Sequence, residues 1–383
     1  MGENEYCQFA NFLIPKYIKG QCTNLESALL EEHCAVCQDC REKLFGAIAA
    51  AQTTSGKEVL FLTPPKNLIN PKNTDEKSDF VIDWKDSVLE SLMRETTGIY
   101  SRDIMYSDVK NLTELNIPGD DNEKIRDISA LSRLTNLVFL KLDYHQIRDI
   151  SVLGSLTKLE YLNLDCNQIS DISVLGKLTN LQTLSLAENQ ISDINVLSGL
   201  RNLNRLNLSN NQISDISILE GLRKLDDLDL GYNQISDISV LGGLRNLSLL
   251  ELRHNQIGDI RVLGGLTSLR GLGLNDNQVS DIRVLGRLIN LEDLCLSDNQ
   301  IGDIDVLRNF ANLYFLALSN NQISDIRVLR NLKKLEYLYL NSNRISDIGA
   351  LNSLTHLTYL NLNNNRIADY SPIKELNIRC VLK

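Results

Sequence analysis

Four residues near the start of the chain have the types and spacing of a metal site. Cys7, His33, Cys37 and Cys40 follow the pattern C-x25-H-x3-C-x2-C. Three thiolates and one imidazole are the donor set of a closed tetrahedral zinc ion, with ligand distances of about 2.0–2.3 Å and no position left for water. The expected cofactor is therefore one structural Zn2+ rather than a catalytic one. Cysteine usage agrees: five of the eight (Cys7, Cys22, Cys34, Cys37, Cys40) fall in the first 40 residues, while Cys166, Cys295 and Cys380 are scattered. A tight cluster of this kind reads as metal or redox chemistry, because a disulfide framework spreads its cysteines through a small secreted domain. Cys22 and Cys34 leave alternatives open, since either can replace a ligand or pair with a neighbour on oxidation. A metal-free, cysteine-rich helical hairpin is the competing structural reading.

Such a site needs helices to position it. His33 and Cys37 are one helical turn apart and can face one ion. Thr23 with Glu26 forms a capping box that opens the helix carrying them. Cys40 follows through a tight turn, and Cys7 closes the tetrahedron from an earlier helix. The segment IPKYIKGQCTNLESALLEEHCAVCQDCREKL resembles the zinc-finger domain of bacterial anti-sigma factors over about 40 residues, most specifically in its HxxxCxxC core. That resemblance implies a sigma factor as partner of the head. The chain departs from the membrane-bound members, because FGAIAAAQTTSGKEV leads into the polar, proline-bearing TPPKNLINPKNTDEKSD rather than a spanning helix. Domains of this type also serve as general interaction modules on cytosolic proteins.

Composition narrows the function classes. At 383 residues the chain is long enough for more than one core. A net charge of −10 and a pI near 5.1 argue against a nucleic-acid binder, which needs a concentrated basic face. No stretch approaches the ~20 apolar residues of a membrane helix. The opening MGENEYCQFANFLIPKYIKG is acidic ahead of a short apolar run, so a secretory leader is not expected. The expectation is a cytoplasmic protein with protein partners, no nucleic acid and no membrane.

From about residue 112 to 369 the chain repeats a unit close to LxxLxLxxNQISDIxVLxxLxN. Asn167 through Asn365 recur every 22 residues without a slip, and Asp149 through Asp369 keep the same step. This pattern resembles leucine-rich repeat proteins of the 22-residue class found in bacterial internalin-type proteins. In LxL the leucines alternate with outward residues, which marks a short strand with one buried face. Strands of successive units pair in parallel ~4.8 Å apart, so twelve of them would span on the order of 55 Å. The return segment ISDIxVLxxL is too short for an α-helix and suits 3₁₀ turns. Each ladder asparagine can serve buried backbone groups that would cost ~1–3 kcal/mol if left unpaired.

The fold class expected is an α/β repeat solenoid: a leucine-rich repeat arc with a parallel concave sheet and a helical N-terminal cap, preceded by a small all-α zinc-binding domain. The corresponding segments are 1–50 for the zinc-binding head, 51–79 for a linker, 80–111 for the cap and 112–383 for the repeats. Trp84, Val88 and Leu92 fall four apart with Leu89 and Met93 alongside, giving the cap an amphipathic helix. The first unit carries a longer loop, PGDDNEK, and SPIKELNIRCVLK reads as a degenerate last coil.

Two features invite a stronger reading than they support. The recurring aspartates could be taken for a calcium array, but each sits beside Ser, Gly or another turn residue, as a turn cap would. His145 stands where the first regular coil should have its asparagine, and a scaffold role suits it better than ligand binding.

No Ser/His/Asp order or phosphate-cradling glycine loop is present, and the chain has only four histidines. An enzyme is not expected. Function then falls to the outward strand positions, which together make one face. The candidate partner-binding residues are Phe139 and Tyr161 early, Asp227, Asp229 and Glu251 in the middle, and Phe315, Tyr337, Tyr339 and Tyr359 late. Aromatic side chains anchor protein interfaces, and the acidic centre would steer a basic partner. Gly271 and Gly273 would leave that wall bare, or are neutral drift. The leading expectation is a non-enzymatic cytosolic adaptor with one partner on the concave face and another on the zinc head. An anti-sigma-like transcriptional regulator is the alternative. A secreted internalin-like adhesin comes third, because neither a leader nor an LPxTG-like anchor is evident.

Overall fold

A computed structural model of the protein describes residues 79–119 and 123–382. The head at 1–50, its ligands Cys7, His33, Cys37 and Cys40, and linker residues 51–78 lie outside the described residues.

The repeats build thirteen three-residue strands. They are β1 (Glu114–Asn116), β2 (Phe139–Lys141), β3 (Tyr161–Asn163), β4 (Thr183–Ser185), β5 (Arg205–Asn207), β6 (Asp227–Asp229) and β7 (Leu249–Glu251). The series continues with β8 (Gly271–Gly273), β9 (Asp293–Cys295), β10 (Phe315–Ala317), β11 (Tyr337–Tyr339), β12 (Tyr359–Asn361) and β13 (Cys380–Leu382). All thirteen form one parallel sheet in sequence order. The degenerate last coil supplies β13, paired through Tyr359↔Cys380, so the sheet is one strand longer than the twelve expected.

Alternation explains how three residues make a strand. The middle position is leucine from β1 to β12, and each of these leucines is at most 2% exposed. Its two neighbours point to the other side of the sheet. The buried Leu and Ile positions of all coils join in one continuous core, and Phe310 fills one leucine site at 0% exposure. No single coil could bury such a stripe alone, and stacking is what removes it from water.

Opposite the sheet the chain returns through five-residue 3₁₀ turns, from Ser129–Arg133 to Gly349–Ser353, and a shorter last one at Ser371–Ile373. The recurring aspartates open these turns. Asp149 Oδ1 accepts the backbone N–H of Ser151 at 2.8 Å, and Asp215, Asp259, Asp325 and Asp369 accept that of the residue two positions on in the same way. The turn-cap reading of the ladder is thus the one the geometry shows.

The ladder asparagines stitch coil to coil. Asn233 Oδ1 accepts from Ile213 N at 2.9 Å, and Asn233 Nδ2 donates to the carbonyls of Leu208, Leu230 and Gly231 at 3.0–3.2 Å. His145 fills the same place by itself, bonding Ile125 N through Nδ1 at 3.2 Å and Ile117 O through Nε2 at 2.9 Å. A second asparagine ladder runs through the turns that lead into the strands. Asn180, Asn202, Asn246 and Asn290 donate to the carbonyls of Thr157, Thr179, Arg223 and Thr267 at 2.8–3.0 Å. It was legible as the N of each LxN at the end of the repeat.

Helix α1 (Ser87–Thr97) buries Leu89 and Met93, and Asp86 caps it by accepting from Val88 N and Leu89 N. The same carboxylate accepts from Arg126 N at 2.7 Å and Asp127 N at 3.2 Å, tying the helix to the first coil. Gly98 ends it in the left-handed conformation, φ +71, which glycine adopts without a Cβ penalty.

Candidate protein-binding face

The first and third residues of each strand, with the residues just after it, form the face that the core does not use. Beyond every strand from β2 to β12 the chain turns through a non-glycine residue with φ between 50 and 62°, from Tyr144 to Asn364. This left-handed conformation costs a non-glycine residue on the order of 1 kcal/mol. The bonds it permits offset that: Tyr144 N donates to Asp165 O and Glu188 N to Ser209 O, both at 2.9 Å. Sequence reasoning missed this row, although its residues immediately precede the ladder asparagines.

The structure places all nine predicted partner-binding residues on this face. It does not give them one environment. Phe139 and Tyr161 are half-buried and stack with ring centroids 4.2 Å apart and planes 10° from parallel. Asp227, Asp229 and Glu251 are half-buried as well. The late aromatics differ from expectation. Phe315, Tyr337 and Tyr359 are 3%, 1% and 6% exposed, and they pack as a ladder rather than as separate exposed anchors. Tyr339 lies 5.4 Å from Phe315 and 4.7 Å from Tyr359, and Phe315 lies 6.0 Å from Tyr337, between ring centroids.

The glycine pair of β8 does not leave a bare wall either. A Cβ at Gly271 would come within 2.7 Å of Leu249 Cδ2, and one at Gly273 would collide with the Glu251 carboxylate. Side chains from β7 lean over β8 and fill the space that the glycines provide.

Charge is densest in the middle of the face. Burial and the neighbouring Asp229 and Asp226 push the Asp227 carboxyl above its usual value, against the pull of Arg205. Arg253 lies over the Tyr232 ring at 5.6 Å, Tyr232 stacks on His254 at 4.0 Å, and His254 Nδ1 pairs with Asp276 at 2.9 Å. Nearer the N-terminus, Asp165 receives the Ser185 hydroxyl at 2.6 Å and Ala187 N at 2.7 Å. Burial nonetheless raises its pKa to about 6. A shallow polar groove of about 630 Å³ opens beside β4 and β5, lined by Thr183, Arg205, Gln182 and Asn204 among others. Among the described residues no group of three or more His, Cys, Asp or Glu is placed to hold a metal ion. Among them, too, no helix is long and apolar enough to cross a membrane.

The comparisons agree with this architecture. The family of Leucine Rich repeats (2 copies) matches residues 135–177, 157–199, 179–221, 201–243, 289–331 and 333–375, together just over half of the chain. The crystal structure of the internalin InlF of Listeria monocytogenes is similar at 34% identity and a TM-score of 0.69, covering 78% of this chain and 95% of InlF. The chain is a leucine-rich repeat protein of the internalin type. This leucine-rich repeat protein is also similar to LIC12759 of Leptospira interrogans, at 28% identity and TM-score 0.66 over 72% of this chain and 73% of that one. The plant peptide hormone receptor RGFR1, solved in complex with RGF2, is similar at 25% identity and TM-score 0.63, over 72% of this chain and 48% of the receptor. No curated protein matches it. Leucine-rich repeat folds of the internalin and receptor types are protein-interaction scaffolds, and a protein-binding module is what this face supports.

Proposed function

We propose that this protein is a non-enzymatic cytoplasmic adaptor that grips a protein partner on its concave sheet face. The head, holding one structural zinc ion on Cys7, His33, Cys37 and Cys40, docks or regulates a second partner. Residues 80–111 act as the N-terminal cap of the repeats. The observation that carries the reading is the sheet itself. Two of every three strand residues face away from the core, and they bring aromatic and acidic side chains from distant parts of the sequence onto one continuous face. The complex of RGFR1 with RGF2 supports a protein or peptide ligand for such a fold.

The HxxxCxxC core of the head favours one second reading, an anti-sigma-like regulator with a sigma factor on the head. Both readings are tested by affinity capture with the full chain under reducing, zinc-replete conditions, beside Asp227→Lys with Glu251→Lys and beside Cys37→Ser. The adaptor reading expects the double variant to lose one partner and Cys37→Ser to lose a different one along with its zinc. Capture of a sigma factor that only Cys37→Ser abolishes supports the regulator. Capture indifferent to both variants would sink the adaptor reading.

A further inference from the structure

The proposed function assigns the concave face to a partner, and the groove beside β4 and β5 has a chemistry specific enough to say what it takes. Arg205 is the one basic residue at the first position of the thirteen strands. The residue in register on β4 is Thr183, whose short side chain floors the groove next to it. Lys224 comes from the following coil and reaches back. Its Nζ donates to Asn202 Oδ1 at 2.8 Å, and Asn202 stands just ahead of Arg205 in the same coil, so both cations line the one groove.

Their donors are underused. Both side chains are exposed, and among the described residues neither forms an ion pair. The Lys224 ammonium gives one N–H to Asn202, a neutral acceptor, and keeps the others. The Arg205 guanidinium donates to no described residue. Asp227, in register on β6, feels the Arg205 charge but is not part of the groove lining. The carboxylate in that lining is Glu160, and it already accepts from Gln182 Nε2 at 2.9 Å. Two cations against one anion leave the groove with surplus positive charge.

We propose that this groove is a subsite for an aspartate or glutamate side chain of the protein partner, held between Arg205 and Lys224. The guanidinium offers its fork of N–H groups to the carboxylate, and the ammonium adds a further donor. One carboxylate neutralises the surplus, whereas a phosphate dianion exceeds it and meets Glu160. The same lysine–asparagine contact recurs without an arginine beside it: Lys334 Nζ donates to Asn312 Oδ1 at 2.8 Å, and the strand that follows Asn312 begins with Phe315. That coil supplies a control within the molecule. The assignment rests on the reading that the concave face takes a protein.

The test uses the full chain and three pools of fluorescent decapeptides, randomised except for a central residue fixed as glutamate, glutamine or phosphoserine. The glutamate pool should bind roughly threefold tighter than the glutamine pool, and at least as tightly as the phosphoserine pool. A general electrostatic effect would act the other way, because the chain carries a net charge of −10. Arg205→Gln should abolish the preference and Lys224→Gln should narrow it. Lys334→Gln, which removes the same charge and the same bond to an asparagine, should leave it unchanged. Equal binding of the glutamate and glutamine pools, binding of no pool, or a preference untouched by Arg205→Gln overturns the subsite. So does a preference that Lys334→Gln also erases, or tighter binding of phosphoserine, which would make the groove a phosphopeptide site. Equal binding that disappears in Asp227→Lys with Glu251→Lys leaves the concave-face reading standing, whereas equal binding that survives there removes both.

Discussion

His145 accepts the backbone N–H of Ile125 on Nδ1 at 3.2 Å, the same link that Asn167 Oδ1 makes to Ile147 at 3.0 Å one coil later. An accepting Nδ1 is unprotonated, so the ring is the neutral Nε2–H tautomer and donates to Ile117 O at 2.9 Å. One imidazole thereby spans two coils as the asparagine amide does.

Protonating His145 would destroy the acceptor. Burial holds its pKa below the usual 6.5, against the favourable contact with Ile117. The unfolded chain then binds the proton more readily, so this group's contribution is complete above pH 6.5 and is lost as pH falls below it. His145→Asn should retain the links and flatten that part of the pH profile. His145→Ala should cost ~1–3 kcal/mol at pH 7.5. Unfolding midpoints at pH 5 and 7.5 decide the matter, and a wild type and His145→Asn with identical profiles would contradict it.

Asn233 makes four bonds from one amide. Asn233→Ala leaves the buried Ile213 N–H without its acceptor, although Leu208 O, Leu230 O and Gly231 O keep other donors, and should destabilise by ~1–3 kcal/mol. Asn233→Asp keeps the acceptor for Ile213 but loses the donors, so it should fare no better. Chemical denaturation measures both, and an unchanged midpoint in either would refute the structural role of the ladder.

The turn-cap aspartates add a small contribution on the acid side, because exposed ion pairs are screened by solvent. The Arg261, Arg283 and Arg327 guanidinium groups bonded to Asp259, Asp281 and Asp325 lower each carboxyl pKa to about 2. Groups depressed in this way stabilise the fold above the unfolded value near 3.8, and that stability is lost as pH falls through about 2. Asp165 has the opposite sign: raised to about 6 by burial, its contribution is complete below about 3.8 and is lost as pH rises from there through about 6. Asp165→Asn should therefore raise the unfolding midpoint at pH 7.5 relative to wild type, and by more there than at pH 4.5. Because the exposed aspartates are engaged as caps, millimolar calcium should leave the midpoint where it is; a rise with calcium would revive the calcium array.

The late aromatic ladder ties binding to stability. Tyr337 and Tyr339 together contact the rings of Tyr314, Phe315 and Tyr359 at 4.7–6.0 Å. Ring pairs contribute ~0.5–1.5 kcal/mol each, so Tyr337→Ala with Tyr339→Ala should cost on the order of 2 kcal/mol or more. Calorimetry of the double variant is the check, and an unchanged melting temperature would mean that the rings act as independent surface groups.

Much of the fold was legible because a 22-residue period fixes every core position at once. Leu162, Asn167 and Asp171 each repeat an environment set by identical neighbours one coil away, so one unit predicts the next. His145 kept the pattern of bonds while breaking the pattern of letters, since hydrogen bonding recognises donor and acceptor positions rather than residue names. The face was less legible. Alternation places Phe315, Tyr337 and Gly273 on the correct side of the sheet, but it says nothing of how far a side chain reaches along it.

The sequence by itself determined the solenoid, the parallel order of its strands and which residues each strand turns away from the core, because those follow from local periodicity and the need to bury a leucine stripe. Only the tertiary structure decided that the late aromatics pack on one another, that Glu251 fills the space over Gly273, and that Asp143 Oδ1 faces only the Lys141 ammonium at 3.7 Å where Asp165 accepts two hydrogen bonds. Those outcomes depend on distances between side chains one coil apart, and residues 22 positions apart in sequence become neighbours only when the coils stack.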